Sequence, residues 1–187
     1  MLRSVSELLG YSVVAGDQTV GKVRNFLFRD SDWQVSHLVV RTGRGPRKRM
    51  FLVSSDSVGR ADESAKLVPV QLTKEQLAEC PEVRTAGAVP CDREAVPTAS
   101  GGEVERKLRS ANRVIAYRVS AGRGEIGYVD DLTVDDDDWR IAAVAIVDMR
   151  RGSESRLSVP PAQVAAIEGA EQRLQIDLTG ADPEGQG

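Results

Sequence analysis

Histidine occurs once in this sequence, at His37, and cysteine twice, at Cys80 and Cys91. One histidine and two distant cysteines cannot complete a four-ligand zinc site. Two cysteines are also too few for a disulfide-built scaffold, and in a reducing compartment both thiols are expected to be free. Aromatic residues make up only 4% of the chain, so Val, Leu, Ile and Ala must build most of the core. No apolar run approaches the roughly 20 residues that a transmembrane helix needs. The opening Met1-Leu2-Arg3-Ser4-Val5 lacks the apolar stretch and small-residue cleavage pattern of a signal peptide. A cytoplasmic location is the expectation. Missing too are a Ser-His-Asp order, a nucleophile elbow, a phosphate-binding glycine loop and a metal-ligand cluster. No catalytic residue and no cofactor is therefore expected.

A hydrophobic fraction of 41% with 28% charged residues fits a soluble globular chain. The net charge of −3 is unevenly divided. Residues 1–80 carry 12 Lys and Arg against 9 Asp and Glu, whereas residues 109–180 carry 9 against 12. Opposite charge on two halves favours docking of one on the other, within or between chains.

An internal repeat explains the two halves. Gly21 matches Gly127, Trp33 matches Trp139, Val53 matches Val159, and Leu72-Thr73 matches Leu178-Thr179, each at an interval of 106 residues. Tyr11/Tyr117, Val13/Val119, Asp30/Asp136, Asp32/Asp138 and Val58/Val164 keep the same interval. The register holds without insertion from Ser4/Ser110 to Thr73/Thr179, as a tandem duplication requires.

Each copy reads as short strands separated by turn signals, the pattern of an all-β barrel or sandwich. Strands are predicted over Tyr11–Ala15, Val20–Phe28, Trp33–Arg41, Met50–Val53 and Leu67–Leu72. Their counterparts are Tyr117–Ala121, Ile126–Val134, Trp139–Val147, Arg156–Val159 and Leu174–Leu178. The second strand of each copy slips phase, with Val23, Phe26 and Phe28 matched by Val129, Leu132 and Val134. A β-bulge near Arg24-Asn25 and Asp130-Asp131 would turn all three apolar residues inward. Gly21 and Gly127 would permit a bend or close backbone approach just before it. Thr73 with Gln76 is a capping box for a short helix ending at Pro81. Pro160-Pro161-Ala162-Gln163-Val164 should form one helical turn. These signals give a first domain over 1–80, a Pro/Gly-rich linker over 81–108, a second domain over 109–180 and a disordered tail over 181–187.

The quoted residues resemble the photosynthetic reaction centre (PRC)-barrel family, in its bacterial two-barrel form. The resemblance rests on Leu2–Val5 through Gly10-Tyr11, Val20–Val23, Asp30–Trp33 and Leu38–Val40, then on Arg109–Asn112, Glu125–Asp131 and Asp135–Trp139. It implies two tandem small β-barrels with short helical turns, serving as interaction and assembly modules without a catalytic site. The chain departs from relatives in carrying a basic Gly43–Arg49 loop, where they tend to have an apolar one with tryptophan. Its linker has no aromatic residue, where theirs often does.

Two charged clusters are candidate partner-binding sites. Asp135, Asp136, Asp137 and Asp138 gather four carboxylates in one turn. Hard cations take such clusters, but the spacing lacks the glycine and closing glutamate of an EF-hand loop, so a solvated turn is the expectation. Arg41, Arg44, Arg47, Lys48 and Arg49 form a basic loop able to hold phosphates. Few aromatics stand beside it for stacking and the total charge is negative, which argues against nucleic acid. The basic loop could instead meet the acidic turn of a second copy, giving a homodimer. His37 is replaced by Ala143 in the second copy and is read as structural. Trp33 and Trp139, with Gly21 and Gly127, are read as scaffold, the indoles plugging the barrel ends. The expected activity is docking on a protein partner, or self-association, with polyanion binding at 41–49 as the alternative.

Overall fold

The computed structural model describes residues 1–43, 48–82, 96–97, 103–104, 108–122, 124–150 and 155–177. Most of the predicted linker and all of the predicted tail lie outside them. Alternation of apolar residues gives a largely all-β chain. In the first half, β1 (Leu2–Ser4) leads into α1 (Val5–Leu8), then β2 (Ser12–Ala15), β3 (Gln18–Arg29), β4 (Val35–Thr42), β5 (Arg49–Ser54) and β6 (Leu67–Val70). The helix α2 (Lys74–Glu79) follows, with Thr73 and Gln76 making the reciprocal capping box. Two short strands, β7 (Val96–Pro97) and β8 (Glu103–Val104), pair with each other. The second half follows the same order with one strand more, β14, whose counterpart residues make only isolated bridges: β9 (Leu108–Ser110), α3 (Ala111–Val114), β10 (Arg118–Ala121), β11 (Gly124–Asp135), β12 (Arg140–Asp148), β13 (Ser155–Val159), β14 (Val164–Glu168) and β15 (Arg173–Ile176). Single 3-10 turns occupy Ser55–Ser57 and Pro161–Gln163.

The first sheet runs β5-β4-β3-β2-β6 and the second β13-β12-β11-β10-β15-β14. Among the described residues no ladder joins the ends of either path, so the observed architecture is two open, strongly bulged sheets. The bulges fall where the phase slip placed them. Val23↔Val40 is followed by Asn25↔Val39, and Val129↔Ile146 by Asp131↔Ala145, leaving Arg24 and Asp130 as the extra residues. Val23, Phe26, Phe28, Val129, Leu132 and Val134 are all buried as a result.

Gly127 shows why a side chain is excluded just before the second bulge: a Cβ there would stand 1.8 Å from the carbonyl oxygen of Val147. At Gly21 the equivalent approach is 2.7 Å to the Arg41 oxygen.

The sheets do not follow the repeat boundaries. Strand β1 pairs not with its own half but with β11, in the register Leu2↔Asp135, Arg3↔Val134, Ser4↔Thr133. Strand β9 returns the exchange on β3, as Leu108↔Arg29, Arg109↔Phe28, Ser110↔Leu27. Each pairing becomes the other when 106 is added to one partner and subtracted from the other. The halves are therefore related by a pseudo-twofold axis. It passes between Gln34 and Arg140, which form an antiparallel bridge. Flanking that bridge, Val35 N–H donates to Trp139 C=O and Ile141 N–H to Trp33 C=O, both at 2.9 Å. One contiguous apolar core runs through both halves, from Val5 and Phe26 to Leu132 and Ile176.

Candidate functional site

The acidic turn lies at this junction. Strand β11 ends at Asp135, and β1, paired along it, brings the chain's α-amino group into the turn. The ammonium of Met1 lies 2.6 Å from Asp135 Oδ1, 2.8 Å from Asp136 Oδ1 and 3.1 Å from Asp137 Oδ2. Arg3 Nε adds a bond to Asp136 Oδ2 at 3.2 Å, and Arg60 pairs with Asp137. Asp136 is almost wholly buried, its side chain 1% exposed. A carboxylate so placed must be paired, and the first half supplies the cations. Three oxygens within 4.8 Å of one another could in principle gather a hard cation, but in this fold they gather an amine. The hydrogen bonds that the amine donates to these carboxylates raise its pKa to about 10, chiefly the one to Asp135. The same bond holds the Asp135 carboxyl below its usual range.

Asp138 is exposed and has a different task. Its Oδ1 accepts the Arg140 N–H at 3.0 Å, as Asp32 Oδ1 accepts the Gln34 N–H at 3.1 Å. These aspartates cap the two hairpin turns. Arg29 grips Asp32 at 2.6 Å and lowers the carboxyl's pKa.

The basic corner is only partly seen. Arg44 and Arg47 lie outside the described residues. Arg41 is half-buried on β4, and Lys48 is exposed. Arg49 is engaged: its Nη2 pairs with Glu82 at 2.7 Å, and its guanidinium lies 4.8 Å over the Phe51 ring. Beside Arg41 stands Arg24, the bulged residue of β3, whose pKa is lowered by burial and then by the Arg41 charge. The described residues do not bring this corner to the acidic turn. The turn takes its countercharges from Met1, Arg3 and Arg60.

Both tryptophans adopt left-handed backbone, with φ of 59° at Trp33 and 54° at Trp139. Such a conformation is costly for a bulky side chain, and it turns both indoles into the core. Trp33 stacks on Phe28 of its own half at 5.4 Å. Trp139 stacks on Phe26 of the other half at 5.8 Å, and its Nε1–H donates to Val58 C=O at 3.3 Å. The second indole thus seals the joint between halves rather than one end of its own sheet.

Sequence reading did not find the strand exchange, nor the polar pairs that come with it. Arg109 donates twice to Asp30, at 3.0 and 2.9 Å, and once to Ile167 C=O. Arg3, its repeat counterpart, reaches Asp136 and Ala61 C=O, which are the counterparts of Asp30 and Ile167. Likewise Asn112 N–H donates to Asn25, and Ser6 N–H to Asp131. Arg3/Arg109 and Asp30/Asp136 both recur at the repeat interval, which was the available signal.

Asymmetry between the copies is concentrated on the outer face of the first sheet. Leu27, Val39 and Leu52 form a second apolar cluster there, with Met50 and Leu108 against it. The counterparts of the first four are Thr133, Ala145, Ser158 and Arg156; Leu108 alone keeps an apolar one, Leu2, which is exposed. His37, on the same strand as Val39, has Nδ1 3.0 Å from Ser36 Oγ, and burial lowers its pKa. Cys80 is a free thiol, half-buried behind α2, and Cys91 lies outside the described residues. A polar cleft of about 410 Å³ opens over β10 and β15, between Arg118, Glu125, Glu168 and Arg173. Among the described residues no helix is long and apolar enough to cross a membrane. No protein-family model matches the chain, and no curated protein matches it.

Proposed function

We propose that the chain is a non-enzymatic docking module of two PRC-barrel-like repeats, cytoplasmic, that binds a protein partner or a second copy of itself. The carrying observation is where the polar residues shared by both copies are used. Arg3, Asp136, Arg109 and Asp30 bind across the junction, and the equivalent positions Asn25 and Asp131, though different residues, do the same. Locking two repeats together in this way makes a rigid platform, and rigid scaffolds present loops and edges for recognition. What the platform offers is what differs between copies: the outer face of β4 and β5 and the 41–49 corner. Reading each repeat as a small barrel fits the bulges in β3 and β11, which bend strands as barrels need.

Pull-down from the native host, with and without nuclease, tests this reading. A defined protein that survives nuclease treatment supports it. Loss of all captured material on nuclease treatment supports the polyanion alternative. One observation favours that alternative: Arg24 and Arg41 stand close enough to repel each other, and a bound phosphate would relieve the repulsion.

A further inference from the structure

Beside its bulge, β3 gathers three cations with β4 at positions where the second half carries none. Val23 and Val40 are register partners buried in the core. Their chain neighbours Lys22 and Arg41 are also partners, and so lie together on the outer face of the sheet. Arg24 is the extra residue of the bulge, and its guanidinium stands close enough to Arg41 for the two charges to repel. Lys22 is exposed, and Arg24 and Arg41 are half-buried. Among the described residues none of these three side chains has a hydrogen bond or an ion pair. Arg29 and Arg49, also on the first sheet, each hold a carboxylate, of Asp32 and Glu82.

The second half shows what this arrangement lacks. Tyr128, Asp130 and Val147 stand at the equivalent places. There the bulge carboxylate of Asp130 meets Arg156 of β13 at 3.3 Å, so the charge at the bulge is neutralised within the sheet. In the first half the bulge charge is reversed, to Arg24, and the place of Arg156 is taken by Met50, which cannot pair with it. Arg41, register partner of both Lys22 and Met50, adds a second cation where Val147 has none. The sequence from Arg41 to Met50 contains no Asp or Glu. Three positive charges suit a phosphate, which carries about −1.5 to −2 near neutrality, better than a carboxylate with one. Two guanidiniums supply the paired donors that such oxyanions take. No aromatic side chain is among the large apolar ones left exposed, which favours a lone phosphate over a polynucleotide with bases to stack.

We propose that Lys22, Arg24 and Arg41 form a binding site for a single phosphate group, free or carried by a larger molecule. This rests on the alternative reading of the corner as an anion site and narrows it to one phosphate. The probe is inorganic phosphate, titrated at constant ionic strength into the isotope-labelled full chain, with acetate titrated in parallel. Saturable amide shifts are expected at Lys22, Arg24 and Arg41 at millimolar phosphate, and acetate should bind at least tenfold more weakly. Arg24→Asp and Arg41→Val follow what the same fold carries in the second half, and each should weaken phosphate binding at least tenfold. Lys22→Ala, at an exposed position, should weaken it at least threefold and keeps the test decisive if either of the others fails to fold. Shifts that do not saturate, that acetate matches, or that persist unchanged in a folded variant overturn the proposal. Equal shifts with O-phosphoserine assign the site to a carried phosphate, and shifts with inorganic phosphate alone assign it to the free ion; both uphold it. Shifts produced by a ten-nucleotide RNA but not by phosphate overturn the single-phosphate site while upholding the polyanion reading. No shifts with either remove both.

Discussion

Trp139 stacks on Phe26 across the boundary between the two repeats, with ring centroids 5.8 Å apart and planes 21° from parallel. The same indole donates to Val58 C=O, also in the first repeat. Trp33 makes no such stack across the boundary, because the counterpart of Phe26 is Leu132, which has no ring. Trp139→Ala should therefore remove about 3–5 kcal/mol of stability, the range for deleting a large core aromatic. A double-mutant cycle with Phe26→Leu should return a coupling of about 0.5–1.5 kcal/mol. The check is chemical denaturation of the four proteins. Additive losses would mean that the stack does not join the halves.

Backbone conformation yields a second prediction through a mismatch between the copies. Gly10 has φ of 89°, and its counterpart Ala116 has φ of 79°. No atom lies within 4 Å of a Cβ built on Gly10, so the cost of a side chain there is conformational alone. Ala116→Gly should stabilise the protein by about 1 kcal/mol, and Gly10→Ala should destabilise it by a similar amount. Thermal melts of the two single variants decide the point. Gly127→Ala belongs to another class, since its Cβ would enter the Val147 carbonyl. It should cost about 3 kcal/mol, at the upper end for forced overpacking, and more than Gly21→Ala.

These examples mark what was legible in the sequence. Within one repeat, apolar alternation and turn residues gave most strands, and the slip from Val23 to Phe26 gave the bulge. The glycine positions followed from the same local logic. Strands β1 and β9 were not legible, because three residues carry no period and a strand's pairing partner is not encoded in its own pattern. The acidic turn was recognised as a cluster, but its countercharge arrives from Met1, 134 residues away in sequence. Charge imbalance between the halves pointed to docking, and only topology could show that the docking is internal and reciprocal.

The acidic turn also makes stability depend on pH in both directions. The α-amino group's pKa rises from 8.0 to about 10 in the folded state. Its contribution is full below pH 8 and disappears as the pH climbs through about 10. Asp135 is depressed, so its contribution is present above its usual carboxylate pKa and is lost as acid protonates it. Denaturation midpoints should fall on both sides of neutrality. The alkaline fall should shrink in Asp135→Asn/Asp137→Asn, or when the amine is blocked by acetylation. An alkaline limb identical in all three proteins would place its origin elsewhere.

Reciprocal exchange finally predicts how the halves behave once the chain between them is cut. Strand β1 belongs to the second sheet and β9 to the first. Separating the halves would expose two strand edges at once and open the shared core around Phe26, Trp139 and Ile141. It would also strand Asp136, buried as it is, without Met1 and Arg3, which is costly for a carboxylate. A specific protease site placed at residues 98–102 should therefore yield two fragments that co-elute as one species and melt in one transition. Charge should favour this mixed pairing, because the Met1, Arg3 and Arg60 cations face Asp135, Asp136 and Asp137 only when the halves differ. Mixing cleaved protein with a tagged first fragment, under conditions that allow exchange, should return complexes of one first half and one second half. Fragments that separate on cleavage, or first halves that pair with each other, would show that the tether rather than the exchanged strands holds the molecule together.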